Sequence, residues 1–188
     1  IDLDYAENHF KVKLPISHVS FSSMDISSVI NVEGNFAMGK GDADDFLSGQ
    51  IHTEGTVINW KPLPQESRFK FLFTEEALNI TSTDFHGGIE ARVTIDFTKD
   101  YELDFTIRAG NYPLSNLNPL VGASDYLEMP GRLDLDAHFS GNLWAPRVKT
   151  RARIYEGLIG KSTFKAMDVN VEGIYPTLHL SDSRIFLE

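Results

Sequence analysis

Cysteine is absent from the 188 residues, which excludes disulfides, thiolate catalysis and cysteine-ligated zinc together. Its absence does not identify a compartment, because periplasmic and cytosolic proteins both do without it. Positive charge is scarce as well: 17 Lys and Arg stand against 27 Asp and Glu, a net charge of −10. That balance opposes broad attraction to nucleic acid or to an anionic membrane surface, and no nucleic-acid partner is expected. No apolar run approaches the roughly 20 residues of a membrane span. The chain starts at Ile1 with neither an initiator Met nor a signal-peptide pattern. The expectation is a soluble piece of a longer protein, any membrane attachment lying in parts not present here. A chain of this length buries about 70% of its unfolded surface, so residues 1–188 suffice for a single β-rich domain.

Chemical motifs are missing too. The six histidines, His9, His18, His52, His86, His138 and His179, show no HExxH and no i,i+4 pair. There is no Gly-x-Ser-x-Gly elbow and no P-loop; Gly39-Lys40-Gly41 runs into Asp42 and completes neither phosphate motif. Asp42, Asp44 and Asp45 are the densest carboxylates, but the later Gly and Glu of an EF-hand loop are lacking, and they read as a solvated acidic turn. No catalytic residue, metal or cofactor is expected, and the chain reads as a non-enzyme.

What is present is alternation. From Ile89 the odd positions are Ile89, Ala91, Val93, Ile95 and Phe97, against Glu90, Arg92, Thr94, Asp96 and Thr98. A period of two over ten residues is a half-buried strand. After Lys99-Asp100 the same phase resumes at Leu103, Phe105, Ile107 and Ala109, so the two runs read as a hairpin. Similar runs occur at Phe10-Val12-Leu14-Ile16, Phe69-Phe71-Phe73, Leu133-Leu135-Ala137-Phe139 and Val148-Ala152-Ile154. Weaker ones lie at Ile51-Thr53, Val57-Asn59, Leu78-Ile80, Val169-Val171 and Leu178-Leu180. Ten or so short strands between Gly, Pro, Asn and Asp turns predict an all-β sandwich, barrel or solenoid.

One register follows in detail. Pairing 132–140 with 147–155 about Asn142-Leu143-Trp144 sets Leu133 against Ile154, Leu135 against Ala152, Ala137 against Thr150 and Phe139 against Val148. The other face then opposes Asp134 to Arg153, Asp136 to Arg151 and His138 to Lys149, apolar with apolar and acid with base. Asp134 and Asp136 share a face as glycosidase acids sometimes do, but these partners make them a charged outer surface. Two segments carry helical spacing and are expected as short plugs: Leu114, Leu117 and Leu120-Val121, and Met24, Ile26 and Val29.

In the second half Tyr112-Pro113-Leu114-Ser115-Asn116-Leu117-Asn118-Pro119-Leu120 is followed by Gly131-Arg132-Leu133-Asp134-Leu135, Gly141-Asn142-Leu143, Pro146 and Gly157. This order, a leucine-rich segment before a Gly-initiated strand, a second Gly turn and a Pro, resembles the recurring unit of the AsmA/TamB-like family of bacterial envelope proteins. Upstream, Ala77-Leu78-Asn79-Ile80 and Gly87-Gly88-Ile89-Glu90-Ala91 resemble the preceding strands, so the resemblance covers about 70–188. It implies a long, curved antiparallel sheet forming an open groove like a taco or gutter. It also implies a periplasmic location, a parent protein anchored in the inner membrane, and an apolar inner surface that conducts lipid acyl chains. A two-sheet sandwich uses the same alternation for a closed core.

The leading expectation is therefore a module that binds phospholipid or another acyl-chain amphiphile. Its lipid-groove candidates are Phe69, Phe71, Phe73, Val93, Ile95, Phe97, Leu103, Phe105, Ile107, Leu133, Leu135 and Phe139, with Glu90, Arg92, Asp134 and Asp136 outward. A second expectation is an assembly scaffold that adds strands to an envelope protein partner through open edges. A third is a carbohydrate-binding or adhesin sandwich, for which Trp60, Trp144, Tyr112 and Tyr126 are the candidate aromatic platforms.

Overall fold

The computed structural model describes residues 2–6, 9–21, 24–37, 46–58, 61–62, 66–85, 87–117, 130–159 and 162–187. The first strands are β1 (Asp2–Ala6), β2 (His9–Phe21), β3 (Met24–Ala37), β4 (Phe46–Ile58), β5 (Lys61–Pro62) and β6 (Ser67–Thr74). They continue as β7 (Ala77–Asp84), β8 (Ile89–Asp96), β9 (Glu102–Pro113), β10 (Arg132–Asn142), β11 (Arg147–Ile159), β12 (Ser162–Ile174) and β13 (Thr177–Phe186). All of them belong to one antiparallel sheet, each strand hydrogen-bonded to the next, with the two-residue β5 set beside β4. β1 and β13 end the path and do not pair, so the sheet is open. The all-β expectation holds, and of its two forms the structure takes the open sheet rather than the sandwich. At about 4.8 Å per strand pair the path spans about 50 Å.

The predicted 89–109 hairpin forms, with Ile89 facing Ala109, Val93 facing Phe105 and Ile95 facing Leu103. Its turn places Asp100 and Tyr101 at φ 54° and 59°. The predicted β10–β11 register is reproduced at each of the seven pairs derived from the sequence. Its ionic partners are not: Arg153 pairs with Asp168 of β12 at 3.4 Å, while Asp136 and His138 pair with Arg108 and Asp104 of β9 at 3.7 and 3.2 Å. Each β10 or β11 charge has two neighbouring strands, and a single hairpin considered alone omits half of its choices.

Of the two expected plugs, Leu114–Leu117 is a 3-10 helix, and Leu120-Val121 lie outside the described residues. The Met24–Val29 segment is the start of strand β3, which corrects the helical expectation. Its spacing of two then three imitates a helix because Val29 occupies an outward position. The inward slot is filled by buried Ser28, whose hydroxyl meets the Thr56 hydroxyl at 2.8 Å and donates to the Glu54 carbonyl at 3.3 Å. The Ile51-Thr53 and Val57-Asn59 runs are likewise one strand, β4, interrupted by a bulge at Gly55 with φ 58°; Asn59 lies outside the described residues.

Among the described residues five register shifts punctuate the sheet, on β2, β4, β7, β9 and β13. A bulge adds one residue to one strand, bends it and steepens its twist, and across twelve paired strands such bends curve the sheet. The chain exposes 12678 Å², whereas a compact monomer of 21.1 kDa exposes about 9,000 Å². A single layer accounts for the excess. The buried cluster is small: Ala109, Tyr112, Leu114 and Leu133, with Ile89, Leu135, Ala152 and Ile154 against it. Burial pushes the Tyr112 phenol above its usual pKa, with a hydrogen bond to Asn116 acting the other way.

Candidate functional site

The registers carry one apolar face from strand to strand. One row across the sheet reads Phe10, Gly34, Gly49, Phe71, Ile80, Val93, Phe105, Phe139 and Val148, each facing the next. Phe69, Phe73, Ile95, Leu103 and Ile107 fall on the same face two residues from the row, and Leu135 and Leu133 four and six residues from Phe139 along β10. Phe97 follows β8 in the turn, its ring 5.7 Å from that of Phe73. All twelve groove candidates thus lie on one surface. Stacked rings at 5.2 Å join Phe105 to Phe139, and Phe85, a residue sequence reasoning missed, tilts against Phe69 at 5.5 Å.

Their exposure separates a trough from a core. Only Leu103 and Leu133 of the twelve are buried; nine are half-buried and Phe73 is 44% exposed. Among the described residues, every strand belongs to this one sheet and the 3-10 plug is the one helical element, so no second layer covers the face. The groove candidates omitted the first-third members of the face, Val12, Val32 and Ile51, although Val12 and Ile51 stand in runs read from the sequence as strands.

Tyr112 departs from its expected role. It was a candidate exposed platform, yet it is 2% exposed and packs beneath the plug. An extra residue causes the change: between β9 and β10 the register shifts around Asn111, at φ 52°, so Tyr112 turns to the same face as Ala109 instead of the opposite one. Trp144 is 78% exposed in the β10–β11 turn, and Trp60 and Tyr126 lie outside the described residues.

The bulge is held by Asp134, whose carboxylate accepts from the Asn111 backbone N–H at 2.7 Å and from the Tyr155 hydroxyl at 2.8 Å. These bonds, the backbone one foremost, hold the Asp134 carboxyl below its ordinary pKa. A native value below the unfolded one of about 3.9 gives stability that is present above that pH and lost as pH falls through the native value. Asp134→Asn should therefore melt below the parent at neutral pH, and the two melting curves should converge in acid. A constant gap across the pH range would contradict this account.

The opposite face is charged. A hollow of about 650 Å³ there is lined by Asp134, Asp136, Asp168 and Asp182 with Arg151, Arg153 and Arg184, so acids and bases offset one another. His9, His52 and His138 meet Glu33, Glu66 and Asp104 on this same surface. Among the described residues no group of three His, Asp or Glu is placed to hold a metal, and Asp42, Asp44 and Asp45 lie outside them. No helix of the described residues is long and apolar enough to cross a membrane. No protein-family model, curated protein or solved structure matches the chain.

Proposed function

We propose that this chain is a lipid-binding and lipid-conducting segment of a periplasmic envelope protein of the AsmA/TamB type, holding acyl chains along the apolar face. One observation carries the reading: a single open sheet keeps Phe, Ile and Val on one side for strand after strand, with no second layer over them among the described residues. A phospholipid or similar amphiphile laid in that trough gains about 0.8 kcal/mol for each methylene withdrawn from water, with no specific polar contact needed. Half-buried aromatics supply this without a preformed cavity. Catalysis has no part in the proposal.

Photo-crosslinkers at Val93, Phe105 and Phe139 are expected to capture phospholipid in envelope extracts, and those at Arg92 and Asp136 are not. Labelling from the outward pair alone overturns the reading. A second reading, a scaffold that docks an envelope protein by strand addition, is favoured by β13, which pairs only with β12 among the described residues and carries Leu180, 72% exposed. Leu180→Pro separates the two. It abolishes partner binding if the edge is the functional surface, and leaves lipid capture at Val93 unchanged if the trough is.

A further inference from the structure

Because each strand is antiparallel to the next, the turns fall alternately at two ends of the strands. The plug and its buried cluster lie at one end. At the other end, three successive turns present Tyr101, Trp144 and Tyr175, exposed by 51%, 78% and 54%. Single exposed aromatics are ordinary, but these three are set in one stitched edge. The Leu143 N–H donates to the Tyr101 carbonyl at 3.2 Å, and the Tyr175 N–H donates to the Pro146 carbonyl at 3.0 Å. Between them Asn142 fixes the turn that carries Trp144: its side-chain oxygen accepts from the Trp144 N–H at 2.9 Å and its carbonyl from the Ala145 N–H at 3.1 Å. A large indole is thus exposed on a hydrogen-bonded turn.

At Tyr101 this edge is continuous with the apolar face. The Tyr101 ring meets Phe97 edge-on at 5.9 Å, and Phe97 meets Phe73 at 5.7 Å, so aromatic surface runs unbroken from the turn to the trough. Tyr and Trp, apolar in body and polar at one tip, are the side chains that settle at the boundary between headgroups and acyl chains. Charge narrows the choice of bilayer. Asp100 and Glu102 flank Tyr101, and net charge is −10, which disfavours an anionic surface.

We propose that the Tyr101–Trp144–Tyr175 edge docks in the headgroup layer of a zwitterionic phospholipid bilayer and is the side from which acyl chains reach the trough. The statement about acyl entry rests on the lipid-trough reading; the docking stands on the edge itself. The test uses the full chain with Trp60→Phe, leaving Trp144 as the one tryptophan, and phosphatidylcholine vesicles. Trp144 emission is expected to shift to the blue and to be quenched by brominated acyl chains, with weaker docking when phosphatidylglycerol is added. Trp144→Ser with Tyr101→Asn, the latter suited to φ 59°, is expected to lower vesicle partition at least tenfold. Uptake of a soluble fluorescent fatty acid, measured without vesicles, should be unchanged in the same variant. Trp144 emission indifferent to vesicles, or a double variant that partitions like the parent, overturns the edge. Docking by a parent chain that takes up no fatty acid supports the edge and removes the trough reading instead.

Discussion

Tyr112→Ala is expected to destabilise the chain by about 3–5 kcal/mol, the cost of emptying a buried aromatic site. For a chain of this size that corresponds to a melting temperature lower by about 6–20 °C. The ring is 2% exposed and joins three segments: it packs with Ala109 of its own strand, Leu114 of the plug and Leu133 of β10. With so few fully buried side chains among the described residues of this open sheet, neighbouring residues have little other core to collapse into. Tyr112→Phe keeps the ring and loses the hydrogen bond to Asn116, and should cost about 1 kcal/mol. Equal losses for the two variants would show that the hydroxyl, not the packing, holds the plug.

The same residue shows where sequence reasoning ran out. Alternation through Leu103, Phe105, Ile107 and Ala109 assigns Tyr112 to the outer surface by parity, and the structure puts it inside. A bulge changes the phase by one, and nothing about Gly110-Asn111 forces a bulge there; it exists because Asp134 and Arg132 of the neighbouring strand grip both sides of Asn111, by its N–H at 2.7 Å and its carbonyl at 3.1 Å. Those partners lie more than twenty residues away in sequence. Gly55 and Asp182, at φ 58° and 43°, mark the equivalent phase changes on β4 and β13. Between bulges, parity read the face correctly, which is why the β10–β11 register and all twelve candidate groove residues could be placed.

Openness was the part that alternation does not encode. A strand such as Phe69-Lys70-Phe71-Leu72-Phe73 has the same pattern whether its Phe side meets another sheet or a bound amphiphile. Deciding between them required the exposure of Phe71, Val93 and Phe105 and the pairing order of the whole chain. The Trp144 edge needed still more. Tyr101, Trp144 and Tyr175 stand far apart in sequence, and only the stacking of alternate turns brings their segments together.

Gly49→Val is expected to be as damaging as any change on the trough floor, at about 3 kcal/mol or more, because the added atoms have no open direction. Gly34 and Gly49 face each other across β3 and β4, flanked in the same row by Phe10 and Phe71. A Cβ built on Gly49 would sit 2.6 Å from the Gly34 Cα and closer still to the Glu33 carbonyl oxygen, both of them backbone atoms that cannot rotate aside. On Gly34 it would meet the Ser48 carbonyl oxygen and the Phe10 ring at 2.8 Å. The missing side chains are what let Phe10 lie over β3, so the pair lowers the floor while the rings on either side keep it apolar. Gly110→Ala is the control: a Cβ there meets nothing within 4 Å, and thermal unfolding should stay within about 1 kcal/mol of the parent. If Gly49→Val melted with that control, β3 and β4 would have to be separable without loss, and the trough floor would not continue from Phe71 to Phe10.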